Sequence, residues 1–280
     1  MNDFRQLRPR YTARNIPHRR LLDTIYRNPT LQSLSVHFLP ALMHAESLAG
    51  GTAVIIDILR ASSTIVMALR NGASCVIPCG SPDEARQIRE ASPLDAVLLG
   101  GERGGVLIEG FDCGNSPTEY PASRVTGKTI AFTTTTGTKA LLNSAAAETI
   151  LIGAFVNRQA LVDRLHADQK SVHLVCAGTD GEITGEDVLF AGAVVETLLA
   201  SQNDRWQLSD SAKIARAFWL QSVSGETREV LSAGIESAMQ QTHGGLNLID
   251  LGYHNDIKLC SAVDSIDVVP VLHGHRLVLE

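Results

Sequence analysis

The segment Ala53–Ala73, AVIIDILRASSTIVMALRNGA, limits what this chain can fold into more than any other. Val54, Ile55 and Ile56 form a short apolar run without polar alternation, which fits a strand covered on both faces in a parallel sheet. Asp57 closes that strand. In open α/β sheets the carboxyl ends of strands face the ligand crevice, so a carboxylate there is placed to meet a ligand. Arg60, Ser62, Ser63 and Thr64 follow. Ile65, Ala68 and Leu69 then supply an apolar face at helical spacing, with Gly72 placed to end the helix. A helix start carries unpaired N–H groups and partial positive charge, and this one is ringed by hydroxyls and a guanidinium, a seat for an anion. The plainer alternative has Ser62 or Ser63 cap the helix and Arg60 pair with a surface acid.

The design recurs. Thr129–Thr133 enters TTTTGTKALLNSAAA, an apolar strand, a hydroxyl-rich turn and an Ala-rich helix, then a second strand at Thr149–Ile152 that corresponds to Cys75–Pro78. Val172–Cys176 begins a third version whose turn is acidic. Ser81, Pro82 and Glu84 form a capped helix start of the S-x-x-E type. Ala96–Leu99 reads as a strand, and GGERGGVLIEGFDCGNSPTEY after it as a long glycine-rich loop in which no helix or strand is expected. Such a loop behind a buried strand is usually functional. Residues 209 to 240 read as two helices, and short strands close the chain near 268–271 and 276–279. Strands alternating with helices mean βαβ units. The expected fold is therefore α/β, a three-layer α/β/α arrangement on a mainly parallel or mixed sheet, with two similar βαβ-type halves.

Residues 1–33 differ from the rest, with Arg5, Arg8, Arg10, Arg14, Arg19, Arg20 and Arg27 and breaks at Pro9, Pro17 and Pro29. They are expected to be a basic N-terminal extension, partly disordered, ahead of one domain over 34–280 whose first strand is Ser35–Leu39. The formal net charge of −6 speaks against nucleic acid as the main partner. No stretch approaches the roughly 18–20 apolar residues of a membrane span. No apolar run precedes a cleavage site, and Cys75, Cys79, Cys113, Cys176 and Cys260 are scattered, odd in number and without C-x-x-C spacing. A cytoplasmic protein with reduced thiols is expected. A homo-oligomer is compatible with the sequence and not required by it.

In a parallel sheet the hydroxyl turns at 62–64 and 133–138, the glycine-rich loop and the acidic turn at 182–187 would share one edge. Hydroxyls, backbone amides, Arg60 and Arg103 suit phosphate or sulfonate oxygens, because a guanidinium offers paired donors. Asp57, Glu102, Asp112, Glu119, Glu186 and Asp187 offer hard oxygens of the kind that hold Mg²⁺, which keeps several waters and bridges protein to substrate phosphate. Structural alternatives stand beside each: Glu186 and Asp187 at a helix start, Asp112 closing a turn before Asn115, Glu119 on the surface. His243, in QTHGGL, is a general-acid candidate set against a plain loop reading, and Cys113 lacks the C-x₅-R cradle of a thiol phosphatase. Neither G-x-x-x-x-G-K-[ST] nor G-x-G-x-x-G after a strand occurs, and Asp57 has no D-x-D partner.

DILRASSTIVMALRNGA, GERGGVLIEGFDCGNSPTE, TTTTGTKAL and GEDVLFAGA, in this order and spacing, resemble the 2-phosphosulfolactate phosphatase (ComB) family, as do LGYHNDIKLC and the VVP near the end. The resemblance runs from about Val36 to the C-terminus. It implies an α/β/α fold and Mg²⁺-dependent hydrolysis of (2R)-2-phospho-3-sulfolactate to sulfolactate and phosphate, a step toward coenzyme M. It also implies a small anionic phosphate ester as partner, with no nucleic acid and no membrane. Carried over by motif, Asp57, Glu102 and Asp112 are the catalytic candidates. Arg60, Ser62, Ser63, Thr64, Arg103, Asn115, Ser116, Thr134, Gly137 and Thr138 are the substrate-binding candidates, and Asp57, Glu102, Asp112, Glu186 and Asp187 the metal ligands. Thr136 stands where the family's T-T-N-G-T has Asn. The rival readings are a phosphatase for another small phosphorylated hydroxy acid and a non-catalytic anion-binding module.

Overall fold

The computed structural model describes residues 31–202 and 205–280, and Gln32–Glu280 forms one compact unit. The expectation for the basic extension falls on residues outside the described ones. The sheet begins with β1 (Gln32–His37), three residues earlier than Ser35, because Gln32 and Ser33 already pair with Trp206 and Gln207. Then come β2 (Thr52–Ile56), α1 (Ala61–Arg70), β3 (Cys75–Pro78) and α2 (Pro82–Glu90). All five residues of β2 are buried, as an apolar run without alternation requires of a central strand. Ser81 caps α2 by accepting from Glu84 N at 3.2 Å, whereas the Glu84 carboxylate takes the Gly80 N–H rather than that of Ser81.

The glycine-rich stretch is not wholly loop. β4 runs Val97–Arg103 and pairs with β5 (Val106–Leu107) in a tight hairpin. The strand persists through its glycines because a neighbouring backbone lies too close for any side chain. A Cβ on Gly101, whose φ is +142°, would fall 2.0 Å from Thr133 O. After α3 (Ala122–Val125) come β6 (Thr129–Thr133), α4 (Gly137–Asn143), β7 (Thr149–Ile152), α5 (Arg158–Asp168), β8 (Val172–Cys176) and α6 (Gly185–Gln202). The chain closes with β9 (Trp206–Leu208), α7 (Asp210–Ser222), α8 (Arg228–Met239), α9 (His243–Asp250), α10 (His254–Cys260), β10 (Val271–His273) and β11 (Arg276–Val278). His243, expected in a loop, starts α9 because Thr242 caps that helix, accepting from Gly245 N at 3.2 Å.

The eleven strands of the described residues form one mixed sheet in the order β5-β4-β6-β3-β11-β10-β7-β2-β8-β1-β9, in a three-layer α/β/α fold. Two parallel blocks, β4-β6-β3 and β7-β2-β8-β1-β9, are joined by the antiparallel hairpin β10–β11. The two echoing segments cross between the blocks in opposite senses: β2-α1-β3 leaves the second block for the first, and β6-α4-β7 returns. Their helix starts consequently meet. A Cβ on Gly137 would touch Ala61 Cβ at 3.1 Å. The core packs Val54, Ile56, Leu174 and Val175 with Phe155, Phe190 and Trp219, the first two rings meeting edge to face at 5.1 Å. Each such side chain contributes roughly 1.5–3 kcal/mol by leaving water. Among the described residues no helix is long and apolar enough to cross a membrane.

His37 of β1 and His173 of β8 stack with ring centroids 5.4 Å apart, and His37 Nε2 lies 3.1 Å from His173 Nδ1. One nitrogen donates and the other accepts, so the accepting ring at least is neutral. Burial, reinforced by His173, holds His37 down at about 4, and burial lowers His173 as well. The unfolded chain takes up protons near 6.5 that the folded chain refuses. Stability should therefore fall as pH drops from 6.5 toward 4. Urea unfolding between pH 7 and 5 should show a smaller loss in a His37→Gln, His173→Gln double variant than in the wild type. Equal losses would contradict this account of the pair.

Candidate active site

The carboxyl ends of β2, β4, β6 and β8 converge on one cleft, lined by Asp57, Arg60, Glu102, Asn115, Thr135 and Thr136 and closed by the turn at Thr179–Asp180 and by Gly244 and Asn247 of α9. Asp57 leaves β2 with its backbone pinned by Ser62, whose Oγ accepts from Asp57 N at 2.9 Å. Its carboxylate accepts one bond, Ala61 N to Oδ1 at 3.3 Å. Burial, then the neighbouring Glu102 and Glu186, raise Asp57 to about 7. Gly137 of α4 abuts it, and a side chain there would lie 2.5 Å from Oδ2.

The other carboxylates are handled differently. Glu102 braces the far wall: Oε1 accepts from Thr135 N at 2.8 Å, and Oε2 from Gly105 N at 2.7 Å and Thr135 Oγ1 at 3.1 Å. Asp187, at the start of α6, gives each oxygen one backbone N–H, from Ile58 at 2.9 Å and Gly178 at 3.0 Å, and so ties the turn after β2 to the turn after β8. Burial drives it well above the usual carboxylate range, with Asp57 adding to the rise. Glu186 is also raised by burial, and its Oε2 is buried without a partner. Asn115 Oδ1, in the cleft wall, is the same.

Among the described residues, positive charge is scarce here. Arg60 is 2 % exposed and already committed: Nη1 donates to Asp256 Oδ2 at 2.6 Å, Nη2 to Gly105 O at 2.8 Å, and its guanidinium lies 4.2 Å from the Tyr253 ring centroid. Arg103 turns away from the cleft to Glu102 O and Thr133 Oγ1, at 2.7 and 2.9 Å.

Several residues singled out in the sequence serve the scaffold. The Ser62 hydroxyl donates to Ile55 O, Ser63 to Ile58 O and Thr64 to Asn115 O, so the hydroxyl ring fixes the loop rather than opening toward a ligand. Thr134 and Thr138 bond each other across the start of α4, Thr138 Oγ1 accepting from Thr134 N and Thr134 Oγ1 from Thr138 N. Asp112 does not join the cleft: its Oδ2 accepts from Leu99 N at 2.7 Å and pairs with Arg89 at 3.1 Å, which a turn carboxylate beside a strand end does readily. Glu119 accepts from Gly114 N at 2.6 Å and shapes its own loop. Ser116 Oγ donates to Asp256 Oδ1 at 2.7 Å. Burial pushes the Cys113 thiol up to about 11, which suits an inert side chain. Among the described residues, no three His, Cys, Asp or Glu side chains are gathered as a ready-made metal cage.

The sequence reading carried Thr135 and Thr136 only as part of the 133–138 hydroxyl turn, and it missed Asp180, Asn247, Tyr253 and Asp256. Asp180 lies in the turn four residues beyond the buried strand β8, and Tyr253 and Asp256 lie inside LGYHNDIKLC, a segment matched to the family without any of its residues being given a role.

A family model described as 2-phosphosulpholactate phosphatase matches residues 37–275. A protein of Thermotoga petrophila named "Probable 2-phosphosulfolactate phosphatase" is 42% identical over 229 residues, 82% of this chain and 92% of its own. One of Symbiobacterium thermophilum with the same name is 38% identical over 235 residues, 84% of this chain and 97% of its own. One of Clostridium perfringens, also so named, is 38% identical over 227 residues, 80% and 87% of the two chains.

Gly244 tests the packing of this site. A Cβ there would fall 1.9 Å from Glu186 Oε1. Gly244→Ala should displace that carboxylate and lower the unfolding free energy by about 1–3 kcal/mol, as overpacking does. Urea denaturation reads it, and a change within about 0.5 kcal/mol, the range of ordinary surface substitutions, would show that the contact relaxes freely.

Proposed function

Because the chain belongs to the 2-phosphosulfolactate phosphatase family, we propose that it hydrolyses the phosphate ester of 2-phospho-3-sulfolactate with the help of a divalent cation. The carrying observation is a charge imbalance. Among the described residues, Asp57, Glu102 and Asp180 line the cleft with one cation, Arg60, which is already matched by Asp256. An anionic ester would meet net repulsion there unless a cation came with it. Asp57 Oδ2 and the partnerless Glu186 Oε2 are the oxygens that would hold Mg²⁺, which needs only one or two protein carboxylates and takes the rest from water and phosphate. The absence of a three-ligand cage is compatible with that habit. When bound, the ion would supply charge neutralisation and a polarised water.

The chain's own residues would bind and orient. Arg60 offers its remaining N–H groups to phosphate or sulfonate oxygens, and Asn115 Oδ1 has an acceptor free for the hydroxyl that the product gains when its P–O bond breaks. Asp57, raised to about 7 by burial, can take up or release a proton near neutral pH before a cation is bound. Coenzyme M synthesis in a cytoplasm is the setting this reading implies, and the five cysteines, all buried and unpaired, suit a reducing compartment. Thr136, standing in the cleft wall where the family has Asn, favours a second substrate reading within the same chemistry, another phosphorylated hydroxy acid.

Phosphate release from a panel of phosphorylated hydroxy acids, with Mg²⁺ or EDTA, tests the proposal. Turnover of phosphosulfolactate should vanish in EDTA and return with Mg²⁺, and full activity in EDTA would end the metal reading. Asp57→Asn should cut turnover per folded molecule by about 100-fold or more, while near-normal turnover would remove Asp57 from the catalytic set.

A further inference from the structure

Arg60 reaches the cleft from a helix start, yet what fixes it comes from the far end of the chain. A guanidinium carries five N–H groups in a rigid fork. Two of them are taken: Nη1 by Asp256 Oδ2 at 2.6 Å and Nη2 by Gly105 O at 2.8 Å. The Tyr253 ring covers one face at 4.2 Å. Asp256 itself cannot swing, because its other oxygen accepts from Ser116 Oγ at 2.7 Å, and its side chain is 4% exposed. Gly105 is held in turn by Glu102 Oε2. The fork is therefore clamped from three directions by α10, the residue before it and the β4–β5 turn.

We propose that Asp256 is a positioning residue for the site: it aims Arg60 at the anion, and the segment Tyr253–Asp256 belongs to the ligand-binding machinery rather than to the core alone. The inference rests on the proposed anion site. Asp256 already offsets the charge of Arg60, so what Arg60 gives a ligand is direction more than attraction, and direction is lost when its anchor goes. Asp256 acts through Arg60 and touches no ligand.

The experiment is a double-mutant cycle read on binding of inorganic phosphate, with Mg²⁺ present, by titration calorimetry, alongside the melting temperature of each variant. Asp256→Ala should raise the phosphate Kd about tenfold or more, the loss expected when a hydrogen bond to a charged group is misaligned. Asp256→Asn keeps an acceptor for Arg60 and a donor for Ser116, and should restore binding to within about threefold of wild type, the residue of one rearranged polar contact. In an Arg60→Ala background, Asp256→Ala should cost no further affinity, because its effect passes through the guanidinium. A lowered melting temperature with unchanged Kd, or additive losses in the cycle, would show a purely structural acid and overturn the proposal. Should Asp256→Ala not fold, Ser116→Ala loosens the same anchor from outside, and an unchanged Kd there would count equally against it. A wild type that binds phosphate with this coupling but releases none from any ester would defeat the proposed function and leave the clamp standing. Turnover without coupling would do the reverse, and a wild type that binds no phosphate would defeat both.

Discussion

Burial of carboxylates at the carboxyl end of β2 is the constraint on which the rest of this site depends. Taking an ionised carboxylate out of water costs several kcal/mol unless hydrogen bonds or a cation replace the water. The protein meets that cost residue by residue. Asp187 receives two backbone N–H groups, Glu102 receives three bonds from Thr135 and Gly105, and Asp256 receives Arg60 and Ser116. Asp57 is left short, with a single long bond, while Glu186 is held by Thr242 and by its own and the Gly244 N–H but keeps one oxygen buried and unpartnered. Under the proposed function, Asp57 Oδ2 and the unpartnered Glu186 Oε2 are the oxygens a cation arriving with a ligand would meet.

The sheet explains how these acids come to share a space. The crossing of β2-α1-β3 and β6-α4-β7 between the two blocks sets the starts of α1 and α4 against each other, with Gly137 beside Asp57. Each crossover alone would make an ordinary helix start. Together they place an acid from one unit against the backbone of the other, and the hairpin β10–β11 closes the gap between the blocks. The C-terminal helices then lie over the cleft, which is how Tyr253 and Asp256 reach Arg60.

Much of this was legible in the sequence because period and turn chemistry are local. The unalternating run Val54–Ile56, the Ser81 cap and the repeated strand-turn-helix units follow from neighbours a few residues apart, and the structure carries them. The roles of the polar side chains were less legible, because a hydroxyl at a helix start serves the loop and a ligand with the same residue type. Ser62, Ser63, Thr64, Thr134 and Thr138 turned inward to backbone and to each other, a choice made by loop geometry that spacing does not encode. Asp112 looked like its fellow acids until Leu99 N and Arg89 claimed it. Asp256 escaped notice for the opposite reason: nothing near it in sequence marks it as the partner of a residue almost two hundred positions earlier. The strand through Gly100 and Gly101 was likewise hidden, since glycine normally ends strands and here permits one.

The central claim is that the cleft lacks the positive charge to hold an anion by itself and acquires it from a divalent cation. Titration calorimetry of inorganic phosphate into the protein, first in EDTA and then with saturating Mg²⁺, measures this without any turnover. The account predicts that the ion tightens phosphate binding by at least about tenfold, a coupling of roughly 1.4 kcal/mol, with phosphate tightening Mg²⁺ binding by the same factor. Phosphate binding of equal strength in EDTA and in Mg²⁺ would contradict it.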